Sequence, residues 1–121
     1  MNNVFDLVAD FYGQDEEWNS VLRQSYVENF LRSKFWQGAE DKELTEYWDY
    51  ITLLCIYLGN SENFLGDMSK DDFIDCIAWC GRNVADFALT DKKVAKFLDV
   101  MDELYTHLHN KKIIMSSAAP S

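Results

Sequence analysis

Apolar residues recur every three or four positions over most of the chain, a spacing that predicts α-helices. The clearest stripe lies between residues 91 and 110, and Thr90 precedes it at the N-cap position. Polar residues fill the opposite face, so we expect an amphipathic helix that buries one side only. The stripe consists of Val94, Phe97, Leu98, Met101, Leu104, Tyr105 and Leu108.

A second helix is predicted over residues 42–58, with Asp41 at its N-cap position. Its apolar end, YITLLCIYL, is short enough to form a strand or a helix when considered alone. The helical period continues without a break from Leu44 to Leu58, and this continuity favours a helix. From Tyr50 onward the helix is apolar almost all round, which predicts burial.

The stretch Ser69–Leu89 is predicted to form the helix around which the others are organised. Ser69 and Asp72 have the spacing of a capping box, in which each residue satisfies a backbone N–H of the other. More than half of the circumference is apolar, so we expect neighbours on two sides. Gly81 is explained either by close approach of one neighbour or by a kink. The two apolar faces are Phe73, Ile77, Cys80, Val84 and Phe87, and Ile74, Ala78, Gly81, Ala85 and Ala88.

Two further helices are predicted in the N-terminal third, over about residues 3–12 and 16–37. The second is irregular, because residues 18–22 and residues 27–35 place their apolar side chains on nearly opposite faces. Either this helix kinks near Ser25, or its two ends contact different partners. A second copy of the chain would be one such partner. Gly38 is predicted to end the helix.

Length and composition support one all-α domain. The chain has 121 residues with only five glycines and one proline, too few for the many turns of an all-β fold. We expect a single compact bundle of about five helices over residues 1–112. Residues 113–121 are predicted to be a flexible tail or the start of a linker. The chain is therefore interpreted as a possible N-terminal domain of a longer protein.

The formal net charge of −10 argues against several partners. An acidic surface is repelled by nucleic-acid phosphates and by anionic membranes. The N-terminus lacks the basic segment of a signal peptide, and the longest apolar run is too short to span a bilayer. A cytoplasmic protein that binds neither nucleic acid nor membrane is predicted, and a basic protein partner remains compatible with this charge.

Three cysteines, Cys55, Cys76 and Cys80, are predicted to be reduced and packed in the core. Cys76 and Cys80 lie four residues apart on one helix, so metal binding by this pair is a weaker alternative. His107 and His109 project about 160° apart on a regular helix and cannot share one site. No cofactor is predicted. A domain that binds a small molecule or a metal near the three cysteines is the alternative function.

The sequence lacks the glycine-rich phosphate loops, nucleophile motifs and calcium-loop spacing that identify common enzyme and metal sites. An enzyme is therefore the less favoured interpretation. A non-catalytic interaction or regulatory domain is favoured, acting through contacts with a protein partner or through self-association.

The aromatic residues are numerous for one small core, and some of them are predicted to contact a partner. Trp79 stands on the charged face of its helix, where either a loop or the tail covers it or it forms a binding hot spot. The interface candidates lie off the main stripe of their helix, at its end or on the second face of the irregular helix: Trp79, Trp36, Tyr57, Leu31 and Phe35.

Overall fold

A computed structural model of the chain describes residues 3–14, 23–60, 65–85 and 87–111. These residues form five α-helices and one turn of 3₁₀-helix, and none of them lies in a β-strand. The predicted all-α bundle of about five helices is confirmed. The predicted tail, residues 113–121, lies outside the described residues. The helices are α1 (Val4–Gln14), α2 (Gln24–Trp36), α3 (Asp41–Gly59), α4 (Lys70–Asn83) and α5 (Asp91–Asn110), and the 3₁₀ turn is Leu65–Asp67.

Helix α3 is the centre of the bundle. It packs against α1, α2, α4 and α5, whereas the main contacts of α4 are with α3 and α5. The prediction that the stretch Ser69–Leu89 organises the chain is therefore wrong. The apolar positions of α3 extend around most of its circumference, which lets several helices bury their stripes against it. Its buried residues are Leu44, Trp48, Ile51, Leu53, Leu54, Cys55 and Leu58.

Several helix starts follow the sequence signals. The Ser69 hydroxyl accepts a hydrogen bond from the Asp72 N–H at 3.3 Å, and an Asp72 carboxylate oxygen accepts from the Ser69 N–H at 2.9 Å. This reciprocal pair is the predicted capping box. Thr90 caps α5 by accepting a hydrogen bond from the Lys93 N–H at 3.2 Å. Helix α3 differs, because its N-cap is Glu40 rather than the predicted Asp41, and no side chain caps it.

Helix α2 begins later than predicted. Arg23 is extended, with φ −69° and ψ 142°, so the helix does not continue from residue 16 through this position. One straight helix over residues 16–37 would place its two apolar stripes on nearly opposite sides. Because of the break at Arg23, α2 carries only the stripe at residues 27–35. Residues 15–22, which carry the first stripe, lie outside the described residues.

Helix α4 ends earlier than predicted. Val84 is extended, with φ −93° and ψ 120°, so the helix ends at Asn83 and does not continue toward Leu89. The chain turns back, and Leu89 covers the face of α4 at Gly81. A Cβ atom built on Gly81 would lie 2.9 Å from the Cβ of Leu89. The side chain of a linker residue, and not a neighbouring helix, makes the close approach at this glycine.

The second apolar face of α4 is only partly covered. Ile74, which belongs to this face, is 41% exposed. The other apolar face is buried through Phe73, Ile77 and Cys80, and Cys76 lies beside them. Among the described helices, none combines the length and apolar composition that crossing a bilayer requires.

Candidate interaction surface

Two aromatic side chains at the end of α2 are exposed to solvent. Phe35 is 51% exposed and Trp36 is 81% exposed, and their rings meet edge to face with centroids 5.6 Å apart. We call these two residues the aromatic patch. Two adjacent exposed aromatic rings form a contiguous apolar patch, and tryptophan is enriched where proteins bind each other.

The end of α2 holds the aromatic patch in place. Gly38 has φ 100°, a value that glycine adopts without steric cost. Its N–H donates to the Phe35 carbonyl at 3.0 Å, and the Ala39 N–H donates to the Lys34 carbonyl at 3.0 Å. These two bonds form a Schellman motif, which fixes the last turn of the helix. The aromatic patch is therefore presented on ordered backbone.

A small cavity of about 260 Å³ lies beside the aromatic patch. Its walls come from α1, α2 and the start of α3, so it exists only in the folded bundle. Within it, the Arg32 guanidinium lies 4.7 Å from the centroid of the Phe5 ring, a cation–π contact. We call this cavity the socket; its lining residues are Asn3, Val4, Phe5, Arg32, Phe35, Trp36, Asp41 and Leu44.

A wider and more polar depression of about 570 Å³ adjoins the socket. The two share Asn3, Val4 and Asp41, and the depression continues along α3. Burial, together with the neighbouring Glu46 carboxylate, raises the pKa of Asp49. We call this surface the acidic depression; its lining residues are Asn3, Val4, Asp41, Lys42, Thr45, Glu46 and Asp49.

The other three interface candidates lie elsewhere. Leu31 is fully buried between helices, so it is not part of any surface of the folded chain. Tyr57 and Trp79 are half-buried and contact each other edge to face, with ring centroids 5.8 Å apart. Trp79 therefore packs against α3 through Tyr57, while residues 61–64 and the tail lie outside the described residues. Phe35 and Trp36 contact each other on α2, Leu31 is buried one turn earlier in the same helix, and Tyr57 and Trp79 form a separate pair on α3 and α4.

The three cysteines are free thiols in the core. The Tyr12 hydroxyl lies 3.7 Å from the Cys55 sulfur, and the Cys80 thiol donates to the Leu53 carbonyl at 3.6 Å. Burial raises the pKa of Cys55 to about 12, and a hydrogen bond with Cys80 together with burial raises the pKa of Cys76. Within the described ranges, no three His, Cys, Asp or Glu side chains are placed to hold a metal ion.

A polar cleft of about 510 Å³ lies between α2 and α5. Lys34 forms an ion pair with Glu103 at 2.7 Å, and His107 Nε2 lies 2.9 Å from the Asn29 side-chain oxygen. Burial, followed by the charges of Lys111 and Lys34, lowers the pKa of His107. Both pairs join the two helices, so the polar groups here serve the α2–α5 contact.

Sequence reasoning identified the aromatic patch but missed the socket and the acidic depression. Two other helices contribute Val4, Phe5 and Leu44 to the socket. The spacing of residues within one helix does not reveal which side chains of other helices lie beside it. One signal was present for the acidic depression, because residues 41–50 hold four carboxylates and one lysine.

Comparison of the chain with protein-family models, curated proteins and solved structures gave no match.

Proposed function

We propose that this chain is a non-catalytic interaction domain that binds a protein partner through the aromatic patch. The observation that carries the proposal is the 81% exposure of Trp36 beside a half-exposed phenylalanine. Burying an aromatic side chain releases water from a large apolar area, and such residues contribute strongly to binding when they enter a pocket on the partner. The ordered end of α2 supports this role, because backbone that is already fixed loses little entropy on binding.

The proposal gives Trp36 a role in binding and only a small role in folding. Trp36→Ala should therefore leave the thermal unfolding of the chain nearly unchanged while it weakens partner binding. Ile74→Ala is the matched control, since Ile74 is also an exposed apolar residue, 41% exposed, on α4. It should leave binding unchanged and lower stability only modestly, because more than half of its side chain is buried.

The test compares the proteins retained by the immobilised chain, by Trp36→Ala and by Ile74→Ala, quantified by mass spectrometry. We expect proteins that the chain and Ile74→Ala retain and that Trp36→Ala loses. Native mass spectrometry of the purified chain and of Trp36→Ala reports whether the chain self-associates through the same patch. Identical retention by all three baits would refute the proposal. A metal or organic adduct that survives purification would favour a ligand-binding domain instead.

A further inference from the structure

The socket and the acidic depression form one continuous surface, of which the first part is mainly apolar and the second is acidic. Val4 is 4% exposed and Leu44 is 1% exposed, so they form the apolar base of the socket. The rings of Phe35 and Trp36 line its side. A volume of about 260 Å³ is below the range of pockets that enclose drug-sized ligands. It is suited to one bulky side chain of a partner.

The surface next to the socket is acidic. Asp41 lines both cavities, and Glu46 and Asp49 follow it along the acidic depression. Lys42 is the one basic residue among the described residues that line the depression, while Arg32 lines the socket but not the depression. Glu46 lies 3.5 Å from Lys96 in a solvent-exposed ion pair, a weak interaction that a bound cation can replace.

The spacing of these groups along α3 sets how far apart the apolar side chain and the basic side chains of a bound segment must lie. Asp41 and Asp49 are eight residues apart on α3, which corresponds to about 12 Å along the helix axis. An extended peptide covers that distance in about four residues. A side chain anchored in the socket therefore places the next few residues of its chain over the carboxylates.

We infer that this surface binds a protein segment in which a bulky apolar residue lies within about four positions of one or more lysines or arginines. The inference rests on the proposed function and specifies the chemistry of the partner. The net charge of the chain distinguishes between two occupants, a basic protein segment and a second copy of the chain. A second copy of this chain would also carry a net charge of −10, which opposes association, whereas a basic segment is attracted.

The test begins with a random 12-residue peptide library displayed on phage, selected on the chain and counter-selected on Trp36→Ala. Enriched peptides are then synthesised with a fluorescein label, and their affinities are measured by fluorescence anisotropy. We expect enriched sequences that combine lysine or arginine with a nearby leucine, isoleucine, phenylalanine or tryptophan. Trp36→Ala should weaken their binding about tenfold or more, as expected for a hot-spot residue.

The acidic depression is tested by the double variant Asp41→Asn with Asp49→Asn, which removes two charges and keeps the side-chain shapes. It should weaken binding roughly three- to tenfold, and salt should weaken the binding of the unaltered chain because it screens exposed charges. Asp71→Asn with Asp75→Asn removes two charges from exposed positions on α4 and is the matched control. It should change affinity less than about twofold.

The outcomes separate the inference from the proposed function. If Trp36→Ala abolishes binding but the Asp41 and Asp49 variant and salt have no effect, the aromatic patch binds and the inferred basic chemistry is wrong. If the chain forms a dimer that Trp36→Ala dissociates, the occupant is a second copy and the inference is also overturned. If no peptide distinguishes the chain from Trp36→Ala, both the inference and the proposed binding surface are refuted.

Discussion

The contact between Gly81 and Leu89 leads to a prediction about Gly81→Ala. This mutation should destabilise the unaltered chain but stabilise a variant in which Leu89 has lost its Cβ. Gly81 lies in the last turns of α4, and glycine there costs about 0.5–1 kcal/mol of helix stability relative to alanine. On helix propensity alone, Gly81→Ala would stabilise the chain. The added Cβ, however, would lie 2.9 Å from Leu89 Cβ and 3.3 Å from Leu89 Cδ2.

Atoms at that separation repel each other, so the linker must move away from α4. Because the nearest atom is the Cβ of Leu89, rotation of the leucine side chain cannot relieve the contact. Overpacking of this kind costs about 1–3 kcal/mol, which exceeds the gain from helix propensity. We therefore expect Gly81→Ala to lower the free energy of unfolding by about 1 kcal/mol. This corresponds to a decrease of roughly 4 °C in melting temperature.

A double-mutant cycle isolates the contact. Leu89→Gly removes the Cβ, and in that background Gly81→Ala should raise the free energy of unfolding by about 0.5–1 kcal/mol. Leu89→Ala keeps the Cβ and is the control, so Gly81→Ala should still be destabilising there. Urea unfolding monitored by circular dichroism gives these values, provided that the dependence on urea concentration stays constant. A stabilising effect of Gly81→Ala in the unaltered chain, or equal effects in all backgrounds, would refute the reasoning.

Three further predictions concern the core, a helix cap and pH. Leu31→Asp buries a carboxylate at a site that is 0% exposed, so it should cost about 4 kcal/mol or more and unfold much of the chain at 25 °C, measured by circular dichroism. Ser69→Ala removes the cap of α4 and should cost about 1 kcal/mol in urea unfolding, whereas Ser69→Asp should retain most of the stability. His107 has a lowered pKa, so its stabilising contribution is complete above the unfolded value near 6.5 and is lost as pH falls through the folded value. The chain should lose more stability between pH 7 and pH 5 than His107→Gln does, and equal losses would contradict this assignment.

The aromatic patch was predictable in part. Phe35 and Trp36 are consecutive residues in a helix, so they point about 100° apart and cannot both follow a narrow buried stripe. Gly38 then marks the end of the helix, where side chains have fewer neighbours. Leu31 was not predictable as a core residue from its own helix, because the other stripe, at residues 18–22, offered a competing face. Which stripe is buried depends on where α1, α3 and α5 lie.

Local sequence signals specify the helical class and most of the helix boundaries. The capping box at Ser69 and Asp72, the Thr90 cap and the apolar stripes of α3 and α5 depend on residues a few positions apart, so local chemistry specifies them. Other features arise from the packing of the helices against each other: α3 is the centre, α2 begins after Arg23, and Trp79 packs on Tyr57. The same packing lets side chains from three helices enclose the socket. These features depend on residues distant in sequence, and the spacing within one helix does not encode which helices meet.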